Sequence, residues 1–231
     1  MTEPNGPADP GHVRDARVSY DAIAEEYARR VPDGLGHRPL DRALLTGFAE
    51  LVRERGTEPV ADVGSGPGHV TARLHDLGVP VFGVDVSPRM VALARRTHPR
   101  LRFHVGSMES LALPDATLGG LLCLHSVIHV PDERLPVLFG EFRRVLVPGG
   151  HLLLGFRTGD GEEERLTERF GHPVSLPCFW RGPDAVTARL AGAGLEVRAR
   201  VTREPEGEET RGRAFLLVRR PEGAGRGAAA R

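Results

Sequence analysis

The chain has 231 residues, a length that suits one domain with a sizeable buried core and makes a second independent domain unexpected. Its 31 basic residues, all arginine, balance 31 acidic residues, so no overall charge draws it to nucleic acid or to an anionic membrane. Cys123 and Cys178 provide neither a disulfide framework nor a zinc site, and we predict no bound metal. No segment has the length of a membrane span or the pattern of a secretory leader, which predicts a soluble, cytoplasmic protein.

In chain order, residues 1–14 are predicted to be a disordered tail, and residues 221–231 a second one, around one domain at 15–220. Two amphipathic helices come first: Tyr20, Ile23 and Tyr27 share one face of the first, and Gly56 ends the second. Strand patterns follow, with helical patterns in most of the intervals, at residues 60–63, 81–84, 101–105, 119–124, 151–156, 195–203 and 213–219.

This alternation of strands and helices predicts an α/β fold, a doubly wound, mostly parallel sheet with helices on both faces. The last two strands are joined by residues 204–212 alone, which is too short for a helical crossover. One strand near the edge of the sheet is therefore predicted to be antiparallel.

The most informative segment is Val60–Gly68, with Asp85 at the end of the next strand. An apolar run followed by glycines predicts a buried strand and a tight turn that a ligand approaches closely. A dinucleotide motif requires glycine at the position of His69, and a phosphate-binding loop requires lysine, which the chain lacks. A structural glycine-rich turn without a ligand remains the alternative for this loop taken alone. An acidic residue at the end of the next strand suits the hydroxyls of a ribose.

Five segments in order resemble motifs of the class I S-adenosylmethionine-dependent methyltransferases, and the similarity runs from about residue 20 to 219. The segments are Val60–Gly68, Asp85, Gly106–Pro114, Leu118–His129 and Arg143–Leu154. The resemblance implies a Rossmann-like fold, with seven strands in the order 3-2-1-4-5-7-6. It also implies a helical lid at 15–56 and S-adenosyl-L-methionine as cofactor.

The resemblance further assigns residues to the cofactor site. Two departures from the family pattern are Ser107, where aspartate is usual, and Gly119, where aspartate is frequent. The implied cofactor-binding residues are Tyr20, Asp62, Gly64, Gly66, Gly68, Asp85, Val86, Met90, Ser107, Met108 and Leu124.

His125 and His129 follow the fourth strand, where the methyl group of the cofactor is expected, and we predict them as catalytic residues. Structural roles for both histidines remain open, and so does packing alone for Tyr27 and Trp180. An insertion at 157–182 is the predicted acceptor-binding region, in which the acidic run 162–164 is expected to begin a helix. The predicted acceptor contacts are Tyr27, Arg157 and Trp180.

These observations predict an S-adenosylmethionine-dependent methyltransferase that acts on a small-molecule acceptor by in-line displacement. A non-catalytic or non-methylating S-adenosylmethionine-binding protein of the same fold is the main alternative, and an NAD-dependent oxidoreductase is a weaker one. No nucleic-acid or membrane partner is predicted. The acceptor atom and the oligomeric state are left open.

Overall fold

The computed structural model describes residues 9–31, 38–207 and 209–222. In these ranges the α-helices are Gly11–Arg30 (α1), Pro39–Arg55 (α2), His69–Asp76 (α3), Pro88–Thr97 (α4), Leu135–Val145 (α5) and Pro183–Gly192 (α6). Two 3-10 helices, Val127–His129 and Asp132–Arg134, precede α5. The strands are Val60–Val63 (β1), Val81–Asp85 (β2), Arg102–Val105 (β3), Leu118–Leu124 (β4), Leu146–Arg157 (β5), Glu162–Arg169 (β6), His172–Trp180 (β7), Glu196–Arg203 (β8) and Arg213–Arg219 (β9).

The predicted N-terminal tail is shorter than expected where it can be compared with the structure. Residues 1–8 and 223–231 lie outside the described part of the chain. Helix α1 begins at Gly11, so residues 11–14 are helical and not a tail. Val13 and Ala16 are buried and extend the apolar face of the helix toward its start, which accounts for the earlier boundary.

Seven strands form one sheet in the order β3-β2-β1-β4-β5-β9-β8. Because β6 and β7 lie outside this sheet, the order is the predicted 3-2-1-4-5-7-6. Strands β3, β2, β1, β4 and β5 are paired in parallel, and β9 runs antiparallel to both β5 and β8. The predicted α/β fold with one antiparallel strand near the edge is confirmed.

Helices cover both faces of the sheet. Leu45 and Phe48 of α2 are buried with Val60, Leu74 and Leu153 in one apolar cluster. Helix α2 therefore packs on the sheet. Of the described residues of the predicted lid at 15–56, only those of α1 line the cleft. The larger core cluster joins α5 and α6 to the sheet.

The insertion at 157–182 forms an antiparallel hairpin of β6 and β7, so the acidic run Glu162–Glu164 is a strand and not the predicted start of a helix. The turn at Phe170 and Gly171 has φ values of 54° and 81°, the left-handed region that tight hairpins use. Glu164 accepts a hydrogen bond from Nε1 of Trp180 at 3.1 Å, and Glu162 pairs with Arg211 at 3.1 Å. These cross-strand and long-range partners stabilise acidic residues in an extended strand.

None of the helices that the described residues form combines the length and apolarity that a bilayer crossing requires.

Candidate active site

A cleft of about 810 Å³, counted with its open mouth, lies beyond the carboxyl ends of the parallel strands. The order of the sheet reverses between β1 and β4, and ligands of open α/β sheets bind beyond the carboxyl ends of the strands at such a position. The cleft is lined by residues of α1, the glycine turn and the segments after β2, β3 and β4.

The glycine turn and Asp85 form one unit at the floor of the cleft. The Asp85 carboxylate accepts hydrogen bonds from the backbone N–H groups of Gly66, at 2.8 Å, and Ser87, at 2.9 Å. Gly66 has a φ of 52°, and a Cβ built there meets no protein atom within 4 Å, so the turn borders open space. Burial raises the pKa of Asp85 to about 6, although the two N–H donors oppose this shift.

Asp62 and Gly68 lie behind this floor and do not line the cleft. Asp62 is 2% exposed and accepts a hydrogen bond from the Thr71 hydroxyl at 2.6 Å, which ties β1 to α3. Burial raises its pKa to about 7. Gly68 caps α3 with a φ of 89°, and a Cβ there would lie 2.6 Å from the ring of Phe103. Asp62, which was predicted to bind the cofactor, therefore holds β1 and α3 together behind the turn.

One wall of the cleft includes the apolar side chains of Val86, Met90 and Met108, which were predicted to bind the cofactor. Ser107 also lines this wall, and its hydroxyl accepts a hydrogen bond from the N–H of Glu109 at 3.3 Å.

The charge that Ser107 lacks is present two residues later. Glu109 is 8% exposed and lines the same wall. It binds His12 at 2.6 Å and Arg134 at 2.6 Å, so the buried carboxylate is paired on both sides.

Helix α1 covers the cleft and is held on two sides. Asp21 accepts hydrogen bonds from the Ser87 hydroxyl at 2.6 Å and the N–H of Arg89 at 3.0 Å. On the other side, the Ser19 hydroxyl accepts the N–H of Ser175 in β7 at 2.9 Å. The helix therefore joins the cofactor side of the cleft to the β6–β7 hairpin.

Tyr20 and His129 meet inside the cleft, and both line it as predicted residues. Nδ1 of His129 lies 2.7 Å from the carbonyl oxygen of Pro177, which can only accept a hydrogen bond, so Nδ1 carries the proton. Nε2 then accepts from the Tyr20 hydroxyl at 2.8 Å. Burial lowers the pKa of His129 to about 4, and burial raises the pKa of Tyr20 above its usual range.

His125 lines the cleft but turns away from His129. Its φ is 60°, and its Nε2 lies 2.9 Å from Nη1 of Arg213. Because a guanidinium only donates, Nε2 accepts and the proton resides on Nδ1, which has no hydrogen-bond partner among the described residues. Burial, followed by Arg213, Arg157 and Arg38, lowers the pKa of His125 well below its ordinary value. This arrangement does not favour the predicted role of His125 as a general base.

Of the predicted acceptor contacts, Tyr27 lines the cleft, whereas Trp180 and Arg157 do not. Trp180 is 4% exposed and packs in the main core. Its indole N–H donates a hydrogen bond to Glu164. Arg157 ends β5 directly opposite Arg213, the partner of His125.

Several lining residues were missed by the sequence analysis, namely His12, Val13, Ala16, Gly106, Glu109, Ser126 and Val130. The first three carried a usable signal. Val13, Ala16, Tyr20 and Tyr27 follow a helical spacing, so the pattern that predicted α1 extends to them. Ser126 and Val130 gave no comparable signal, because their positions depend on how the chain turns after β4.

Residues 60–150 match a family model described as a methyltransferase domain. This segment contains the glycine turn, Asp85 and the residues after β3 and β4 that line the cleft. Over this segment, which is less than half of its length, the chain is similar to methyltransferase domains.

Among similar proteins, a malonyl-[acyl-carrier protein] O-methyltransferase of Serratia marcescens is 30% identical over 136 residues, covering 59% of this chain and 52% of that protein. The chain spans about half the length of the curated relatives that it matches first. A solved structure described as "DhpI-SAH complex structure" has a TM-score of 0.68 at 24% identity, covering 93% of this chain and 99% of that one. The structure of the [4+2]-cyclase SpnF has a TM-score of 0.69 at 19% identity, covering 94% of this chain and 98% of that one. These structures share the fold of this chain, and one of them is named as a cyclase.

Proposed function

We propose that the protein binds S-adenosyl-L-methionine in the cleft and transfers its methyl group to a small-molecule acceptor by in-line displacement. The observation that carries this proposal is the unit of Asp85 and Gly66 at the reversal of strand order, next to open space. When bound, the cofactor supplies an electrophilic methyl group on a sulfonium.

Each part of the cleft suits one part of that cofactor. The Asp85 carboxylate uses one lone pair of each oxygen on Gly66 and Ser87, and its remaining lone pairs can accept from two ribose hydroxyls. Met90 and Met108 offer polarisable apolar surface for the adenine ring. Tyr20 closes the cleft from above.

A small acceptor is favoured by the way the cleft is covered. Helix α1 is hydrogen-bonded to α4 through Asp21 and to β7 through Ser19. A folded protein or a nucleic acid would have to displace this helix to reach the floor, whereas a small molecule would not.

The contribution of the protein to the rate is then mainly positioning and exclusion of water. The basic nitrogens of the two imidazoles that were predicted as catalytic are occupied, Nε2 of His125 by Arg213 and Nε2 of His129 by Tyr20. His129 and Tyr20 orient each other. The Nδ1–H of His125 can donate a hydrogen bond to the molecule that accepts the methyl group.

The occupied imidazole nitrogens favour one second function, a cofactor-binding protein that does not methylate. Neither His125 nor His129 has a free basic nitrogen, and the Glu109 carboxylate is paired with His12 and Arg134. Such a protein would bind the cofactor and leave its methyl group in place.

Calorimetric titration with S-adenosylmethionine, S-adenosylhomocysteine and NAD tests cofactor binding. We expect both adenosyl ligands to bind more tightly than NAD, and comparable or tighter binding of NAD would refute the proposal. Asp85→Ala should weaken binding by about 1.5–3 kcal/mol, the usual loss for hydrogen bonds to a charged group. Asp184→Ala is a matched control, because Asp184 is an exposed carboxylate that pairs with Arg200 on the surface.

Radiolabelled methyl transfer to a panel of small acceptors then separates the two functions. Labelled product is expected for the methyltransferase. Tight cofactor binding, with no labelled product from any acceptor and intact cofactor recovered after the incubation, would support the non-methylating alternative.

A further inference from the structure

An arginine row lies behind His125, which lines the cleft and contacts one arginine of the row, Arg213. Arg157, Arg213 and Arg203 are directly opposite one another across β5, β9 and β8. Directly paired residues of neighbouring strands point to the same face of a sheet, so three positive charges lie side by side.

Two members of this row are neutralised within the protein. Arg213 pairs with Asp41 at 3.4 Å and with Glu209 at 2.5 Å, and Arg203 pairs with Glu209 at 2.6 Å. Arg157 makes no ion pair with any carboxylate in the part of the chain that the structure describes. The row therefore retains positive charge at its cleft end, next to the partner of His125.

A second arginine, which has no carboxylate partner among the described residues, contacts a cleft-lining residue from the hairpin. The guanidinium carbon of Arg169 lies 5.0 Å from the ring centre of Phe170 and 5.9 Å from that of Tyr27, a residue that lines the cleft. Nε of Arg169 is shielded from solvent and has no hydrogen-bond partner among the described residues. A shielded guanidinium N–H without an acceptor is costly, so a ligand that supplies an acceptor gains affinity there.

Both arginines act on the same groups. Burial raises the pKa of Tyr27, and the charges of Arg169 and then Arg157 oppose that shift. Burial likewise raises the pKa of Cys178 to about 11, again opposed by Arg169 and Arg157. Geometry places each arginine next to a neighbour of the cleft. Arg157 lies opposite Arg213, the partner of the lining residue His125, and Arg169 packs on the ring of the lining residue Tyr27.

Aromatic rings line the approach to this space. Tyr20 and Tyr27 meet edge to face with ring centres 6.2 Å apart, and Tyr27 and Phe170 do so at 6.2 Å. Tyr20 and Tyr27 line the cleft, so a flat apolar ligand there can pack against their rings.

We propose that Arg157 and Arg169 form the anion-binding end of the acceptor site, and that the acceptor is a planar apolar molecule with one carboxylate or related oxyanion group. This inference rests on the proposed function, because it names the acceptor class of that cleft. Arginine holds such groups through paired N–H donors, which fixes both the position and the orientation of the acceptor.

Ligand pairs that differ only in charge test the proposal without any substitution. We would titrate the protein, alone and with S-adenosylhomocysteine, with benzoate, 2-naphthoate and indole-3-carboxylate, each against its neutral carboxamide and its phosphonate analogue. At least one carboxylate should bind about tenfold or more tightly than its amide, as expected for a charge-assisted contact. Equal binding of every carboxylate and its amide would overturn the proposal, and a preference for phosphonates would reassign the oxyanion to the phosphate class.

Variants then locate the preference. Arg157→Gln and Arg169→Gln should each reduce the carboxylate preference about tenfold while the dissociation constant of S-adenosylhomocysteine stays within about twofold. Arg198→Gln removes the same charge from an exposed position on β8 and should change neither value. An undiminished preference in both cleft variants would place the anion site elsewhere. Failure of S-adenosylhomocysteine to bind the wild-type protein would refute the proposed function separately, because the ligand pairs are also measured without it.

Discussion

The hydroxyl of Tyr20 donates a hydrogen bond to Nε2 of His129 across 2.8 Å, which joins α1 to the 3-10 helix after β4. The carbonyl of Pro177 fixes the tautomer of His129 from the opposite side. Three segments that are distant in sequence are therefore linked through one buried imidazole, and α1, β7 and the end of β4 share one position around the cleft.

Tyr20→Phe should lower the free energy of unfolding by about 1–2 kcal/mol, because it leaves the buried Nε2 of His129 without a donor. Urea denaturation measures this change. Tyr27→Phe is the matched control, because the Tyr27 hydroxyl has no hydrogen bond to the residues that the structure describes, and its effect should stay within about 0.5 kcal/mol. Equal losses in the two variants would show that the contact between Tyr20 and His129 contributes no net stability.

Gly66→Ala should weaken binding of S-adenosylhomocysteine about tenfold or more, because the added Cβ points into the open space beside the turn. It should also destabilise the fold by about 1–2 kcal/mol, since φ is 52° at this position. Gly207→Ala has a similar φ of 62° and equally open surroundings, but lies between β8 and β9. We expect the control to lose similar stability in thermal unfolding and to keep full affinity in calorimetry. Full affinity in folded Gly66→Ala would exclude close approach of the cofactor to this turn.

The pH dependence of the turnover rate, measured at saturating cofactor and acceptor, should be the same near pH 6.5 in the wild type and in His125→Ala. Neither protein should show an inflection there that depends on His125. Lowered pKa values, about 4 for His129 and well below the ordinary value for His125, keep both imidazoles neutral above that pH. The measurement is a pH–rate profile of the wild type and the variant in parallel. An inflection that disappears with His125 would restore the general-base hypothesis from the sequence.

Asp62→Asn should change how stability depends on pH. The folded-state pKa of Asp62, about 7, lies above its ordinary value of 3.8, so the folded protein binds more protons than the unfolded chain between these values. The stabilising contribution of the protonated form is complete below about pH 4 and is lost as pH rises through 7. Asparagine does not titrate, so Asp62→Asn removes this loss. Between pH 5 and pH 8, the free energy of unfolding of the wild type should therefore fall by about 1 kcal/mol or more beyond any fall in Asp62→Asn.

Urea unfolding of both proteins at pH 5 and pH 8 tests this expectation. Thr71→Val is a useful companion, because it removes the donor to Asp62 and leaves the carboxyl group in place. If the wild type and Asp62→Asn lose stability in parallel between the two pH values, the titrating group is not Asp62.

The sequence by itself determined the sheet and the floor of the cleft. The apolar run before Gly64 and the short link between β8 and β9 are local patterns, and they were sufficient to predict a buried first strand and the antiparallel strand. The strand order came from the resemblance to a known family, and the structure has that order. Asp85 and Gly66 were predictable for the same reason, since each is placed by the strand that it ends or follows.

Only the tertiary structure decided which partners the polar side chains find. His125 is 88 residues from Arg213, and this contact assigns its proton to Nδ1. Glu164 lies in a strand because its carboxylate meets Trp180 across the hairpin, an interaction that the helical interpretation of the acidic run did not consider. The proton position of an imidazole and the compensation of a buried charge depend on groups brought close by folding, and sequence spacing does not encode those distances.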